Sequence, residues 1–140
     1  MGSRSKFPIR ELIVSLLVAV ATQTGGENLG GYWANGSGSV IVSMQPCADE
    51  GWCGKVQWAS EEAQADAARH GTATLVGIEL LHGFVPVEAG RWKGRLFIPD
   101  LNKRARAELQ RIDDNRLRVR GCTVGGLICK SQIWTRSASR

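Results

Sequence analysis

At 140 residues, 43% of them hydrophobic, the chain has room for one modest domain, and outside its N-terminus it has no apolar run long enough to span a bilayer. Its formal net charge of +5 raises the question of nucleic acid, but no reader motif or aromatic stacking platform accompanies the charge, so nucleic acid is not an expected partner. Nor is there a nucleophile–base pair, a metal-ligand cluster or a phosphate-binding loop. No catalytic residue, metal or cofactor is therefore assigned, and an enzyme ranks lowest among the functions considered.

The N-terminus has the form of a secretory signal. Arg4, Lys6 and Arg10 precede an apolar run over 12–20, and Ala19-Val20-Ala21 is a small-x-small cleavage motif. Residues 1–21 are expected to be removed, leaving a mature chain with no transmembrane segment. It would carry 15 basic and 12 acidic residues, a net charge of +3. The charge is unevenly spread: residues 22–90 hold two basic and eight acidic side chains, and residues 91–120 hold ten basic and four acidic. Residues 22–30, rich in Gly, read as a flexible lead to a domain over 31–137.

Short β-like segments then recur. They fall at 31–35, 40–44, 53–58, 75–81, 92–98, 103–111, 116–120 and 128–136, separated by turn signals such as Pro99-Asp100, Asp113-Asp114-Asn115 and Gly125-Gly126. One segment differs. From Ser60, an N-cap, to Gly71, a C′ residue, strong helix formers carry acidic residues early and basic ones late, which predicts a short surface helix. Eight regularly spaced strands predict an all-β fold, and an antiparallel up-and-down barrel is preferred to a sandwich because closure removes exposed edges.

Four cysteines outside the cytoplasm most simply form two disulfides, with three possible pairings. Cys47 with Cys53 and Cys122 with Cys129 are favoured because each pair brackets a turn. Five tryptophans are many for this length. The bland reading puts them in the core. The functional one has Trp52, Trp58 and Trp92 contacting a ligand, with Trp52 at the mouth of the barrel and small residues such as Gly94, Ala105 and Ala107 leaving room inside. A second candidate surface is a basic outer face. Arg91, Lys93 and Arg95 alternate along one strand, Arg104 and Arg106 along the next, and Arg116, Arg118 and Arg120 along a third. If neighbouring, they form a wall able to attract an anionic envelope polymer, lipid surface or partner protein; the bland reading is a solvated face.

Gly31-Tyr32-Trp33 at the start of the first strand and Trp134-Thr135-Arg136 in the last resemble the lipocalin arrangement. That likeness implies an arginine, Arg136, packed across Trp33 at the closed end of a barrel, with Gly31 and Trp134 also structural. The order of Gly31-x-Trp33, Cys53-Gly54, Val56-x-Trp58, Gly83-Phe84, Trp92-x-Gly94, Arg120-Gly121-Cys122 and Trp134-x-Arg136 resembles, over nearly the whole mature chain, the bacterial secreted family called domain of unknown function 2147. The resemblance implies a small lipocalin-like barrel in the envelope of Gram-negative bacteria, periplasmic or secreted, with no established activity. The chain departs from the family pattern where Ile98 precedes Pro99 and where Ala105 or Arg106 falls near a usual tyrosine. The expected role is a non-enzymatic binder of a small apolar or amphipathic ligand, and the alternative is docking through the basic wall.

Overall fold

The computed structural model describes residues 28–140; the expected signal at 1–21 and most of the expected lead lie outside them. Eight antiparallel strands follow chain order around a closed barrel: β1 (Gly31–Ala34), β2 (Val40–Pro46), β3 (Trp52–Ala59), β4 (Glu79–Glu88), β5 (Arg91–Ile98), β6 (Lys103–Asp113), β7 (Arg116–Thr123) and β8 (Ile128–Ser137). Closure is made by β8 against β1, with Trp33 opposite Arg136. Every strand thus has two neighbours, and no edge is left to pair with another chain.

The alternation read from the sequence sets the faces. In β6, Ala105, Ala107 and Leu109 are buried while Arg104, Arg106 and Gln110 are exposed; in β7, Leu117 and Val119 are buried between Arg116, Arg118 and Arg120. The core is filled by Trp33, Trp92, Phe84, Leu81, Leu109 and Leu117, all nearly inaccessible. Gly94 faces inward, but it leaves no free space. A Cβ there would lie 2.7 Å from the Phe84 ring, so the missing side chain is the seat of Phe84.

The helix α1 (Glu61–Arg69) lies between β3 and β4. Ser60 caps it, its Oγ accepting from the Ala63 amide at 3.1 Å, and Glu61 and Glu62 occupy the positive first turn. One boundary differs from expectation. The strand expected over 75–81 begins at Glu79 and runs to Glu88. Gly77, at φ +96, turns the chain there, and its amide donates to the Val56 carbonyl at 2.8 Å. Leu75 is still buried, but from a loop.

The two disulfides join Cys47 to Cys53 and Cys122 to Cys129. Both staple hairpins, at opposite ends of the barrel. Cys47–Cys53 ties the β2–β3 turn, and Cys122 and Cys129 are direct register partners in β7 and β8. Each short loop contributes about 2–2.5 kcal/mol on the chain-entropy view.

Candidate functional site

The two ends of the barrel are built differently. At one end the chain closes over the core. Leu29 is buried, and its carbonyl accepts from the Trp33 indole Nε1 at 2.9 Å. Arg136 stacks over the Trp33 ring, 4.3 Å from its centroid. Its guanidinium donates to the carbonyls of Gly30 at 2.8 Å, Asn28 at 3.2 Å and Asp114 at 2.9 Å. Gly31 sits at φ +114, and a Cβ on it would lie 3.2 Å from Arg136 Nη1, so glycine suits both the backbone and the approach of the arginine. Residues 28–30, expected as part of a flexible lead, are therefore pinned, because Arg136 and Trp33 use their carbonyls.

The other end is open. A cavity of about 950 Å³ lies there, framed by the turns at 35–39, 99–102 and 124–127 and by α1. Its walls include Val40, Leu80, Leu96, Val119 and Trp134, and its polar boundary includes Ser37, Lys103, Lys130 and Gln132. Gln132 is held in place: its Oε1 accepts from the Trp134 indole at 3.0 Å and from the Gly36 amide at 3.1 Å. The indole N–H is thus satisfied within the protein, and the ring contributes apolar surface. An apolar wall with a few fixed polar groups is the usual make-up of a small-molecule site, and the volume falls in the usual range for one.

The structure does not bring the three ligand-contact tryptophans of the sequence reading to this cavity. Trp92 is fully packed in the core. Trp58 lies under Arg140, whose guanidinium carbon is 3.8 Å from its ring centroid, while Gln57 bonds the Arg140 backbone at 2.8 Å and 3.2 Å. Trp52 is half-buried at the closed end, packed against the core and within 3.6 Å of where a Gly30 Cβ would stand. It belongs to the stapled β2–β3 turn, and that turn is at the opposite end from the mouth. Trp134, read as structural, is the tryptophan that does line the cavity. Val119 was legible as an inward position of an alternating strand; the turn at 35–39 carried no signal that it would frame a pocket.

The basic residues do share a wall, because β5, β6 and β7 are consecutive neighbours. Arg95 is opposite Arg106, and Lys93 and Arg120 flank Glu108 on either side. The wall is partly neutralised. Arg91 binds Glu108 at 2.7 Å, an ion pair that raises its already high pKa, and Arg116 binds Asp113 at 2.9 Å. Among the described residues, no carboxylate lies within 4.0 Å of Lys93, Arg95, Arg104, Arg106, Arg118 or Arg120; Arg118 bonds Gln110, and Arg104 lies over the Phe97 ring.

One cluster has metal-ligand composition. His82 Nδ1 is 3.4 Å from Cys53 Sγ and 2.9 Å from Glu79 Oε1, with Cys47 beside them. The two sulfurs are bonded to each other, so they offer no thiolate, the form in which cysteine binds zinc.

A closed eight-stranded antiparallel barrel, one end clasped by an arginine over a tryptophan and the other open to a cavity, is a lipocalin-like fold. The solved structure of Protein HP1028 from the human pathogen Helicobacter pylori, described as belonging to the lipocalin family, superimposes with a TM-score of 0.61 over 79% of this chain and 84% of that one, at 11% identity. Residues 31–136 match the family described as an uncharacterized protein conserved in bacteria (DUF2147), and the chain belongs to that family. No curated protein matches the sequence significantly. No helix among the described residues is long and apolar enough to cross a membrane.

Proposed function

We propose that this protein binds one small apolar or amphipathic molecule in the open-ended cavity, without chemical conversion, in the periplasm or outside a Gram-negative cell. Residues 1–21 act as the cleaved signal and 31–137 as the single binding domain. The observation that carries this reading is the cavity of about 950 Å³ with Val40, Leu80, Leu96, Val119 and Trp134 in its walls. An apolar tail placed among these side chains leaves water, and burial contributes about 0.8 kcal/mol per methylene. Lys103, Lys130 and Gln132 supply polar partners for a head group at the boundary. The two disulfides support an oxidising compartment.

Native mass spectrometry on protein purified from the periplasm tests the reading, with Val119→Trp as the comparison. Val119 lines the cavity, so the wider side chain takes up room there, and circular dichroism checks that the variant folds. The expected result is a bound small molecule, released on denaturation, in the natural protein and none in Val119→Trp. A natural protein that carries no ligand and takes up no apolar probe, or one whose probe uptake is unchanged by Val119→Trp, overturns it.

A further inference from the structure

The turns on the β5–β8 side of the mouth are apolar where water favours polar residues. Leu127 is 83% exposed, Val124 60%, Leu101 55% and Ile128 52%. They belong to two hairpin tips, 99–102 and 124–127 with the first residue of β8, which flank the neighbouring strands β6 and β7. Leu101, Val124 and Ile128 also border the cavity. Scattered exposed leucines need no explanation, but four aliphatic side chains gathered around one opening do.

Val124 adds an independent observation. Its φ is +54, in the left-handed region, and Gly125 and Gly126 follow at +66 and +91. A β-branched residue there is a genuine outlier, since Gly or Asn would adopt the same backbone with less strain. Strain of this kind collects at sites where the chain does something other than fold. The Cys122–Cys129 disulfide spans the base of the same tip and holds it upright.

Charge then selects the partner. Lys103 and Arg104 follow the first tip directly, Lys130 follows the second, and Arg106 lies opposite Cys122 at the base of the second. None of these four has a carboxylate within 4.0 Å among the described residues. Glu62 and Asp66, the other acidic residues of the mouth, are in α1, and Asp100 is the one carboxylate within the tips. Aliphatic tips on separate turns, with four cations free of carboxylate partners behind them against one carboxylate within them, match a lipid interface: the tips enter the headgroup region and the cations meet phosphates. A protein-binding patch of this size would instead centre on aromatic anchors in one flat surface, and these tips carry no aromatic residue.

We propose that the open end of the barrel docks on an anionic bilayer, with Leu101, Val124, Leu127 and Ile128 among the headgroups and Lys103, Arg104, Arg106 and Lys130 on lipid phosphates. The mouth of the cavity then faces the lipid phase. The docking needs no ligand in the cavity, so it stands or falls separately from the binding function.

Co-sedimentation of the mature chain with vesicles of equal parts phosphatidylglycerol and phosphatidylcholine, against phosphatidylcholine alone, is the test. The exposed positions allow Leu101→Ser with Leu127→Ser, and Arg104→Gln with Arg106→Gln, without disturbing the core; circular dichroism checks that the melting temperature is kept. The natural protein is expected to pellet with the anionic vesicles and less as salt rises. Each cation removed should weaken partition about fivefold, and the double serine variant should weaken it about tenfold or more. Val119→Trp, with the cavity filled, should pellet as the natural protein does. No preference for the anionic vesicles overturns the proposal. Pelleting that ignores the two serine substitutions overturns it too, because adsorption is then by the basic wall alone. Self-association in sedimentation velocity that the serine substitutions abolish, without vesicle binding, would show that the tips meet another protein.

Discussion

Replacing Arg136 by Lys tests the closed end of the barrel while keeping the charge. Arg136 donates to three backbone carbonyls and stacks on Trp33. A net hydrogen bond is worth about 1 kcal/mol and a solvent-exposed cation–π contact about 0.5–1 kcal/mol. The whole clasp is therefore worth about 3–4 kcal/mol. Lysine can keep one of the three bonds and part of the stack, since a point-charge ammonium lacks the planar fork. The expected loss is about 2–3 kcal/mol, or on the order of 10 °C in melting temperature for a domain of this size. Urea unfolding with the disulfides intact reads it as a lower midpoint. The slope should stay unchanged, because the surface exposed on unfolding is the same. Because the cavity is at the other end, uptake of an apolar probe by the folded variant should match that of the natural protein. A variant within about 0.5 kcal/mol of the natural protein would refute the clasp, and equal loss of stability and probe binding would refute the independence of the two ends.

Three further outcomes follow from the geometry. Gly51 is at φ +81, and a Cβ on it would stand 2.8 Å from the Phe84 carbonyl oxygen, so Gly51→Ala should cost about 2–4 kcal/mol in urea unfolding; Gly38→Ala, at φ +76 with open space around it, should cost only the backbone part, about 1 kcal/mol. Replacing Cys122 and Cys129 together by Ala should lower stability by about 2–2.5 kcal/mol, measured by the same denaturation under oxidising conditions, and leave the Cys47–Cys53 link intact in peptide mapping. The Asp113 carboxyl is held below its ordinary 3.8, first by the Asn115 amide and then by Arg116. A lowered folded pKa means that its contribution is present above that ordinary value and fades as pH falls through the lower folded one. Asp113→Asn should therefore reduce stability at neutral pH and flatten the acid limb of a stability–pH series, and an unchanged acid limb would show that Asp113 has no part in it.

Much of the fold was legible because barrel strands obey a period of two. Leu117 and Val119 between Arg116, Arg118 and Arg120 told both the strand and its faces, and Ser60 with Glu61 and Glu62 told the start of the helix. What was not legible depends on how distant segments meet. The start of β4 is set by Gly77 bonding to Val56, a contact between residues that no local pattern links. Trp58 has the sequence context of an inner strand residue, yet it is covered by Arg140 from the far end of the chain. Whether small inward residues leave room or make way for aromatic rings was open in the sequence for a related reason. At Gly94 the structure fills the space with Phe84 from the neighbouring strand. The room inside the barrel comes instead from the open end, where the loops stand apart.

The two ends also divide the energetic demands on the chain. At the closed end every unusual feature has a stabilising partner: Gly31 admits Arg136, Arg136 covers Trp33, and Trp33 ties down Leu29. At the open end the unusual features oppose stability. Val124 is strained and exposed, and Leu127 is almost bare to water. Packing explains the first set fully and the second not at all. Sequences agree with their fold at most positions and break local rules where function requires it. By that criterion the mouth of the barrel and the two hairpin tips beside it are where the proposed binding and docking would act. The closed end, with its clasp and its Cys47–Cys53 staple, holds the stabilising contacts that the strained and exposed tips of the mouth lack.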